Sequence, residues 1–223
     1  MLKTRLGRIS DSVRSGAVLC DIGTDHADLV VSLMLNKKIK FAYATDLREG
    51  PLKRAKENIK NAGIEDKVEC ILSDGFENLK NNNDITDVVI SGLGGETIIK
   101  ILTSCPILHN PKINFILSPQ SKEEKLRVFL NENGHTFNEI TVDENGKKYL
   151  IFISKFSDNK TSLSLKQQFF GLNDDEQYKK MVYNTLIKRL KNKEYELERR
   201  NNIIKLLDEV TNYSKSSNFR KII

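Results

Sequence analysis

The stretch Ala17-Val18-Leu19-Cys20-Asp21-Ile22-Gly23-Thr24-Asp25-His26 runs from an apolar segment into a turn with one glycine between two carboxylates. A short apolar run that ends in such a turn reads as a buried strand. The helical pattern that begins at about His26 completes a strand-turn-helix unit. The single Gly lets a ligand approach the backbone, and the helix N-terminus faces that ligand. A dinucleotide pyrophosphate needs close backbone contact at several points, hence G-x-G-x-x-G. Here one Gly stands among Asp21, Asp25 and Asp28 instead, a setting that disfavours phosphate. It suits a cationic ligand such as S-adenosylmethionine, which has a sulfonium and an ammonium and no phosphate. A tight turn with a capping Asp would use the same residues.

Outward from this turn, short runs rich in Val, Ile, Leu and Phe alternate with helical patterns, as in βαβ units. The runs are Ala17–Ile22, Phe41–Thr45, Val68–Leu72, Val88–Ser91 and Asn114–Leu117, then Phe137–Val142 and Tyr149–Ser154. Between the second and third, Leu52, Ala55, Ile59 and Ala62 fall on one helical stripe, with Pro51 in the first turn and Gly63 past the end. The last two runs flank Asp143-Glu144-Asn145-Gly146 and read as a β-hairpin. Five parallel strands followed by an antiparallel hairpin make a seven-stranded, Rossmann-like α/β sheet of the class I methyltransferase type.

Beyond Phe156 the character changes. Ser157–Ser164 is a polar linker, and a helical pattern continues from about Asp175 to Val210. Tyr183, Leu190, Leu197 and Ile204 recur every seven residues, with Leu186 and Leu207 at companion positions and Lys193 and Arg200 breaking the seam. The expected organisation is a catalytic domain over 1–156 and a C-terminal helical, coiled-coil domain over 157–223.

Two further acidic residues stand at strand ends. Asp46, 25 residues after Asp21 and followed by Leu47, can accept from both ribose hydroxyls. Asp74, in Ser73-Asp74-Gly75, can accept from an adenine amino group. Each alone could be a helix cap; three at successive strand ends are harder to explain so. The fourth strand runs into Ser91-Gly92-Leu93-Gly94-Gly95-Glu96, whose bare backbone admits a flat substrate. A phosphate loop is excluded there, because Glu96-Thr97 replaces the Lys-Ser/Thr that should follow the glycines. The fifth strand ends in Leu117-Ser118-Pro119-Gln120, where Gln120 offers a donor and an acceptor.

Arg5-Leu6, Asp21-Ile22-Gly23-Thr24-Asp25-His26-Ala27, Asp74-Gly75, Gly92-Leu93-Gly94-Gly95 and Leu117-Ser118-Pro119-Gln120, taken together, resemble the bacterial tRNA adenine-22 N1-methyltransferase family (TrmK). The likeness spans residues 1 to about 156, and the helical tail matches in kind. Two positions depart from it: Asp28 stands where the family commonly has Tyr, and Ser118-Pro119-Gln120 where it commonly has Gln-Pro-Asn. The resemblance implies methyl transfer from S-adenosylmethionine to N1 of adenine 22 in tRNA. It places the cofactor on Asp21, Gly23, Thr24, His26, Asp46, Leu47, Ser73, Asp74, Gly75 and Gly92. It places the substrate near Arg5, Gly94, Gly95, Pro119 and Gln120, with Asp25 as catalytic carboxylate. The alternatives are a class I methyltransferase acting on another nucleic acid or protein, and a non-catalytic binding protein on a degenerate form of the fold. His109 and His135 read as structural, and Tyr43, Tyr149 and Phe152 as sheet packing.

The chain of 223 residues carries 36 Lys plus Arg against 30 Asp plus Glu, a formal charge of +6. Residues 1–156 hold only +1 of this and residues 157–223 hold +5. The excess therefore lies in the tail, where Lys188, Arg189, Lys193 and Arg200 are candidates to grip RNA phosphates. A solvated helix surface would look similar, since Glu194, Glu196 and Glu198 are interspersed. Cys20, Cys70 and Cys105 form no disulfide framework and no metal pattern. No apolar run reaches a membrane span. The expectation is a cytoplasmic monomer with no metal and no membrane partner.

Overall fold

The computed structural model describes residues 4–79, 83–172, 174–191 and 200–208. It divides into two compact units, Met1–Ser162 and Leu163–Ile223. The first comprises α1 (Arg5–Ser12), β1 (Ala17–Ile22), α2 (Asp28–Leu35), β2 (Ile39–Asp46), α3 (Glu49–Asn61), β3 (Val68–Leu72), β4 (Asp87–Ser91), α4 (Gly95–Thr103), β5 (Asn114–Ser118), α5 (Glu123–Glu132), β6 (His135–Glu144) and β7 (Lys147–Phe156). The seven strands lie in the order β3-β2-β1-β4-β5-β7-β6. The first five are parallel, and β7 joins β5 antiparallel and pairs with β6 in a hairpin. This is the expected Rossmann-like sheet of seven strands with an antiparallel last hairpin.

Both faces of the parallel strands are apolar because helices cover both. On one face Leu19, Ala44, Val89 and Ile116 pack with Val30 and Leu33 of α2 and Ala55 and Ile59 of α3. The alternate residues Cys20, Val88, Ile90, Phe115 and Leu117 are equally buried on the other. Register keeps the strand ends level: Ile22 lies beside Thr45 and Ile90, Asp46 beside Leu72, and Ser91 beside Ser118. Chain order reverses between β1 and β4, the position at which open α/β sheets form a ligand crevice at their carboxyl ends.

Several boundaries differ from those read in the sequence. The strands β2, β6 and β7 are longer, since pairing continues through Asp46 and through Lys147. The hairpin turn is only Asn145-Gly146, both with positive φ (53° and 74°), the left-handed geometry of a two-residue turn. Helix α2 begins at Asp28, not His26, because Ala27 adopts φ 59° and closes the preceding turn by donating to the Thr24 carbonyl at 2.8 Å. Residues 157–162 belong with the first unit: Ser157 N donates to the Gly134 carbonyl at 3.0 Å and Asn131 Nδ2 to Thr161 Oγ1 at 2.8 Å.

The second unit contains α6 (Leu165–Phe170), started by a capping box between Ser164 and Gln167, α7 (Glu176–Lys191) and a helical segment at 200–208. Its core joins Phe170, Leu186, Ile203, Leu206 and Leu207, with Tyr183 and Leu190 packed against it. Ile204, expected on a heptad seam, is 45% exposed. The expected companion positions Leu186 and Leu207 are buried, and Leu207 joins Ile203 and Leu206 in the i, i+3, i+4 stripe of ordinary helix packing. Leu197 and Lys193 lie outside the described residues.

Candidate active site

The carboxyl edge of the sheet carries two unlike halves. At β1, β2 and β3 it is acidic. Asp21 is buried, and its Oδ2 accepts from Thr24 Oγ1 at 2.7 Å. Burial pushes its carboxyl up to about 6; the Thr24 bond opposes this and the charge of Asp46 adds to it. The turn that follows is tied to β2, since Gly23 N and Thr24 N both donate to the Thr45 carbonyl, at 2.9 and 2.8 Å. Gly23 has φ 77° and Asp25 φ 50°, so the backbone coils tightly between them. Asp and Asn tolerate that left-handed geometry better than most residues.

Asp46 is the hub of this half. Its Oδ2 accepts from Asp25 N at 3.2 Å and its Oδ1 from Arg48 N at 2.9 Å. The side chain is only 7% exposed. Each oxygen still has a lone pair for a ligand hydroxyl. Leu47 beside it is 64% exposed and Leu72 41%, two apolar side chains at the strand ends where a flat ring needs a wall. Ser73 is buried: its N donates to the Asp46 carbonyl, and its Oγ donates to the Gly75 carbonyl and accepts from Asn78 N. Asp74 is half-buried, and Lys100 Nζ of α4 donates to its Oδ2 at 3.0 Å. That bond raises the pKa of Lys100. Gly75 has φ 61°, and a side chain there would meet Ile101 of α4 at 3.2 Å.

At β4 and β5 the edge is uncharged and bound backbone to backbone. Gly92 N donates to the Ser118 carbonyl (3.2 Å), Gln120 N to the Leu93 carbonyl (2.9 Å) and Gly95 N to the Ser121 carbonyl (2.8 Å). A Cβ on Gly95 would stand 2.7 Å from the carbonyl oxygens of Ser121 and Lys122, so only glycine permits this junction. Pro119 is buried and Gln120 exposed, its Nε2 3.9 Å from where a Cβ on Gly92 would stand. Leu93 reaches back across the crevice, its Cδ1 3.7 Å from the corresponding point on Gly23.

The structure thus gathers Asp21, Gly23, Thr24, Asp25, Asp46, Leu47, Ser73, Asp74 and Gly75 on one half of the edge, and Gly92, Gly94, Gly95, Pro119 and Gln120 on the other. His26 is half-exposed, its Nε2 3.6 Å from Asp25 Oδ2 and its carbonyl accepting from Asn58. Arg5 starts α1, and its N donates to Glu144 Oε1 of the hairpin at 3.0 Å. Lys188, Arg189 and Arg200 belong to the second unit. His135 is buried between Ser154 Oγ and the Leu108 carbonyl, each at 3.0 Å, and burial lowers its pKa to about 4. The thiols of Cys20 and Cys105 are pushed up by burial; Cys70 is half-exposed on β3. Lys100 and Leu93 escaped the sequence reading, because only the crossing of α4 brings Lys100 to Asp74, and a leucine between glycines carries no chemical signal. Tyr149, read as sheet packing, is half-exposed with two cations against its ring. Lys147-Lys148-Tyr149 beside the Asn-Gly turn was the available clue. Among the described residues no group of three metal-ligating side chains occurs, and no helix is long and apolar enough to cross a membrane.

A parallel sheet of this order with an antiparallel last hairpin and an acidic first half at its carboxyl edge is that of a class I methyltransferase. Comparison with known proteins agrees. The family described as a methyltransferase domain matches residues 2–152. The tRNA (adenine(22)-N(1))-methyltransferase of Bacillus subtilis is 29% identical over 158 residues, 70% of this chain and 66% of the Bacillus protein, just under two thirds of its length. A candidate tRNA methyltransferase of Mycoplasma pneumoniae is 32% identical over 84% of this chain and 89% of its own. The structure of M. capricolum TrmK with the cofactor product S-adenosylhomocysteine superposes with a TM-score of 0.77 at 28% identity, covering 96% of this chain and 97% of that one. The chain belongs to the methyltransferase-domain family and, within it, to the TrmK family.

Proposed function

We propose that this protein is an S-adenosylmethionine-dependent tRNA methyltransferase that modifies N1 of adenine 22, acting in the cytoplasm. The observation that carries the reading is the level carboxyl edge itself, with three carboxylates at the ends of β1, β2 and β3 beside two neutral loops locked together at β4 and β5. The residues fit the cofactor. Asp21, buried with one side-chain hydrogen bond, would pair with an ammonium group; Asp46 keeps a lone pair on each oxygen for ribose hydroxyls; Asp74 keeps Oδ1 for an amino group. Gly23 lets the ligand approach the backbone.

Bound S-adenosylmethionine supplies a methyl on a sulfonium; its transfer forms a C–N bond at N1 as the C–S bond breaks, moving the positive charge onto the base. Adenine N1 carries a lone pair in the neutral base, so the protein needs no strong general base. Its task is alignment, which in well-oriented reactions supplies several kcal/mol. Gly92 leaves room for a flat ring, Gly94 and Gly95 let the loop after β4 close against Ser121 and Lys122, and the three backbone bonds to Ser118, Gln120 and Ser121 hold that slot rigid. Gln120 presents its amide at the mouth. Asp25 lies over Asp46 with its side chain 57% exposed, where it accepts from N6 or stabilises the cationic product. The pairing edge of an adenine in folded tRNA must be exposed before it can enter. Lys188, Arg189 and Arg200 hold RNA phosphates.

Mass spectrometry of tRNA from cells lacking the gene tests this. Loss of 1-methyladenosine at position 22 is the expected result, and its persistence would overturn the reading.

A further inference from the structure

The tip of the β6–β7 hairpin stands on the same edge as the slot. Because β7 runs antiparallel to β5, with Leu117 beside Phe152 and Ser118 Oγ bonded to the Leu150 carbonyl, residues 147–149 extend past the end of β5 beside the Pro119-Gln120 loop. There the Arg5 guanidinium lies 4.8 Å from the centroid of the Tyr149 ring, and Lys147 Nζ also lies 4.8 Å from it. Lys148, the neighbouring cation, is paired with Asp143 at 3.9 Å. Arg5 and Lys147 have no ion pair among the described residues; Glu144 accepts from the backbone N of Arg5 and keeps its charge, so that with Asp143 it leaves Arg5, Lys147 and Lys148 one positive charge in excess, and Arg5 Nη1 is buried without an acceptor.

Two cations held against one ring repel each other, and the ring face offsets this only partly. A net positive charge, restrained by stacking beside the Pro119-Gln120 loop, is suited to an anion. We infer that Lys147 and Arg5, seated on Tyr149, form a phosphate contact that takes the RNA backbone next to the base being methylated. The inference rests on the tRNA reading above and adds a site in the first unit to the basic residues of the second. Stacking restrains both side chains beforehand, so less entropy is lost when the phosphate arrives.

The test is tRNA binding by the full-length protein across a range of salt, with S-adenosylhomocysteine binding measured by calorimetry as control. Lys147→Gln removes one charge from an exposed turn and should weaken tRNA binding about three- to tenfold, lowering the salt slope by about 0.7–0.9. Lys147→Arg should restore both, and Tyr149→Phe, which keeps the ring, should stay near wild type, whereas Tyr149→Leu should weaken binding. S-adenosylhomocysteine affinity should not change in any of them. Wild-type affinity and slope in Lys147→Gln and Tyr149→Leu would overturn the phosphate contact while leaving the tRNA reading intact. Failure of the unaltered protein to bind tRNA would overturn both.

Discussion

The two edges of the sheet each bury an aspartate, and they treat it in opposite ways. At the amino edge Asp87, wholly buried, accepts from Arg14 Nε at 3.0 Å, Arg14 N at 3.2 Å, Asn114 Nδ2 at 2.9 Å and Thr86 Oγ1 at 2.9 Å. Its charge is matched and its lone pairs are used. At the carboxyl edge Asp21 receives one side-chain bond, from Thr24, and burial drives its carboxyl up to about 6. A satisfied carboxylate is a fastening for β1, β4 and β5. A buried one with a single side-chain bond and no paired cation costs stability in its charged form, and a cationic ligand that pairs with it recovers that cost.

Substitutions should break the comparison in opposite directions. The largest effect is expected from Asp87→Ala, which removes the acceptor shared by Arg14, Asn114 and Thr86 and leaves them only their bonds to backbone carbonyls: on the order of 3 kcal/mol of stability lost, read by denaturant unfolding, with cofactor affinity kept in the folded fraction. Asp46→Ala removes the acceptor of two backbone amides and of the ligand hydroxyls. Charged hydrogen bonds of about 1.5–3 kcal/mol imply cofactor binding weaker by roughly 100-fold in calorimetry.

Asp21→Asn should have the reverse sign for stability. In the ligand-free protein Asp21 holds its proton up to about pH 6, whereas the unfolded chain releases it near the ordinary value of 3.8. Its contribution is therefore full below about pH 4 and is lost as pH rises towards 6. The Asn variant should lack this slope and be more stable at pH 7 by on the order of 1–3 kcal/mol, yet bind cofactor poorly. In the unaltered protein cofactor affinity should rise between pH 5 and 7, as the carboxylate that pairs with the ammonium forms.

Asp25→Asn keeps a side chain suited to φ 50° and removes only charge. It should lower kcat by about 10-fold or more, with cofactor affinity little changed. The smallest effect is expected from Lys188→Gln with Arg189→Gln, a severalfold loss of tRNA affinity and a shallower salt dependence at unchanged cofactor binding.

The carboxyl edge was legible in the sequence because its residues follow strand ends: Asp21, Asp46 and Asp74 are each the acidic end of an apolar run, and Gly92, Gly94 and Gly95 break the pattern where a strand stops. The partners were not. Lys100 meets Asp74 only after α4 has packed across the sheet, and Leu93 meets Gly23 only because β4 pairs with β1; local periodicity reports neither. Asp87 also adjoins an apolar run, and nothing in its neighbours in the chain separates a fastening from a ligand group; Arg14 and Asn114, 73 and 27 residues away, decide that. In the helical unit the expected seam positions Tyr183, Leu186, Leu190 and Leu207 do pack into the core, whereas Ile204 is exposed and Ile203 and Leu206 are buried in its place. Periodicity over so few turns does not fix which face finds a partner.

The acidic half of the edge is assigned to the cofactor and the neutral half to the base, and methylation of an unmodified tRNA transcript by the purified protein tests the two together. With S-adenosylmethionine, the wild-type transcript should gain one methyl group, mapped by mass spectrometry to N1 of adenine 22, and a transcript with guanine at that position should gain none. Equal methylation of both transcripts, or none of either by protein shown to bind S-adenosylhomocysteine, would contradict it.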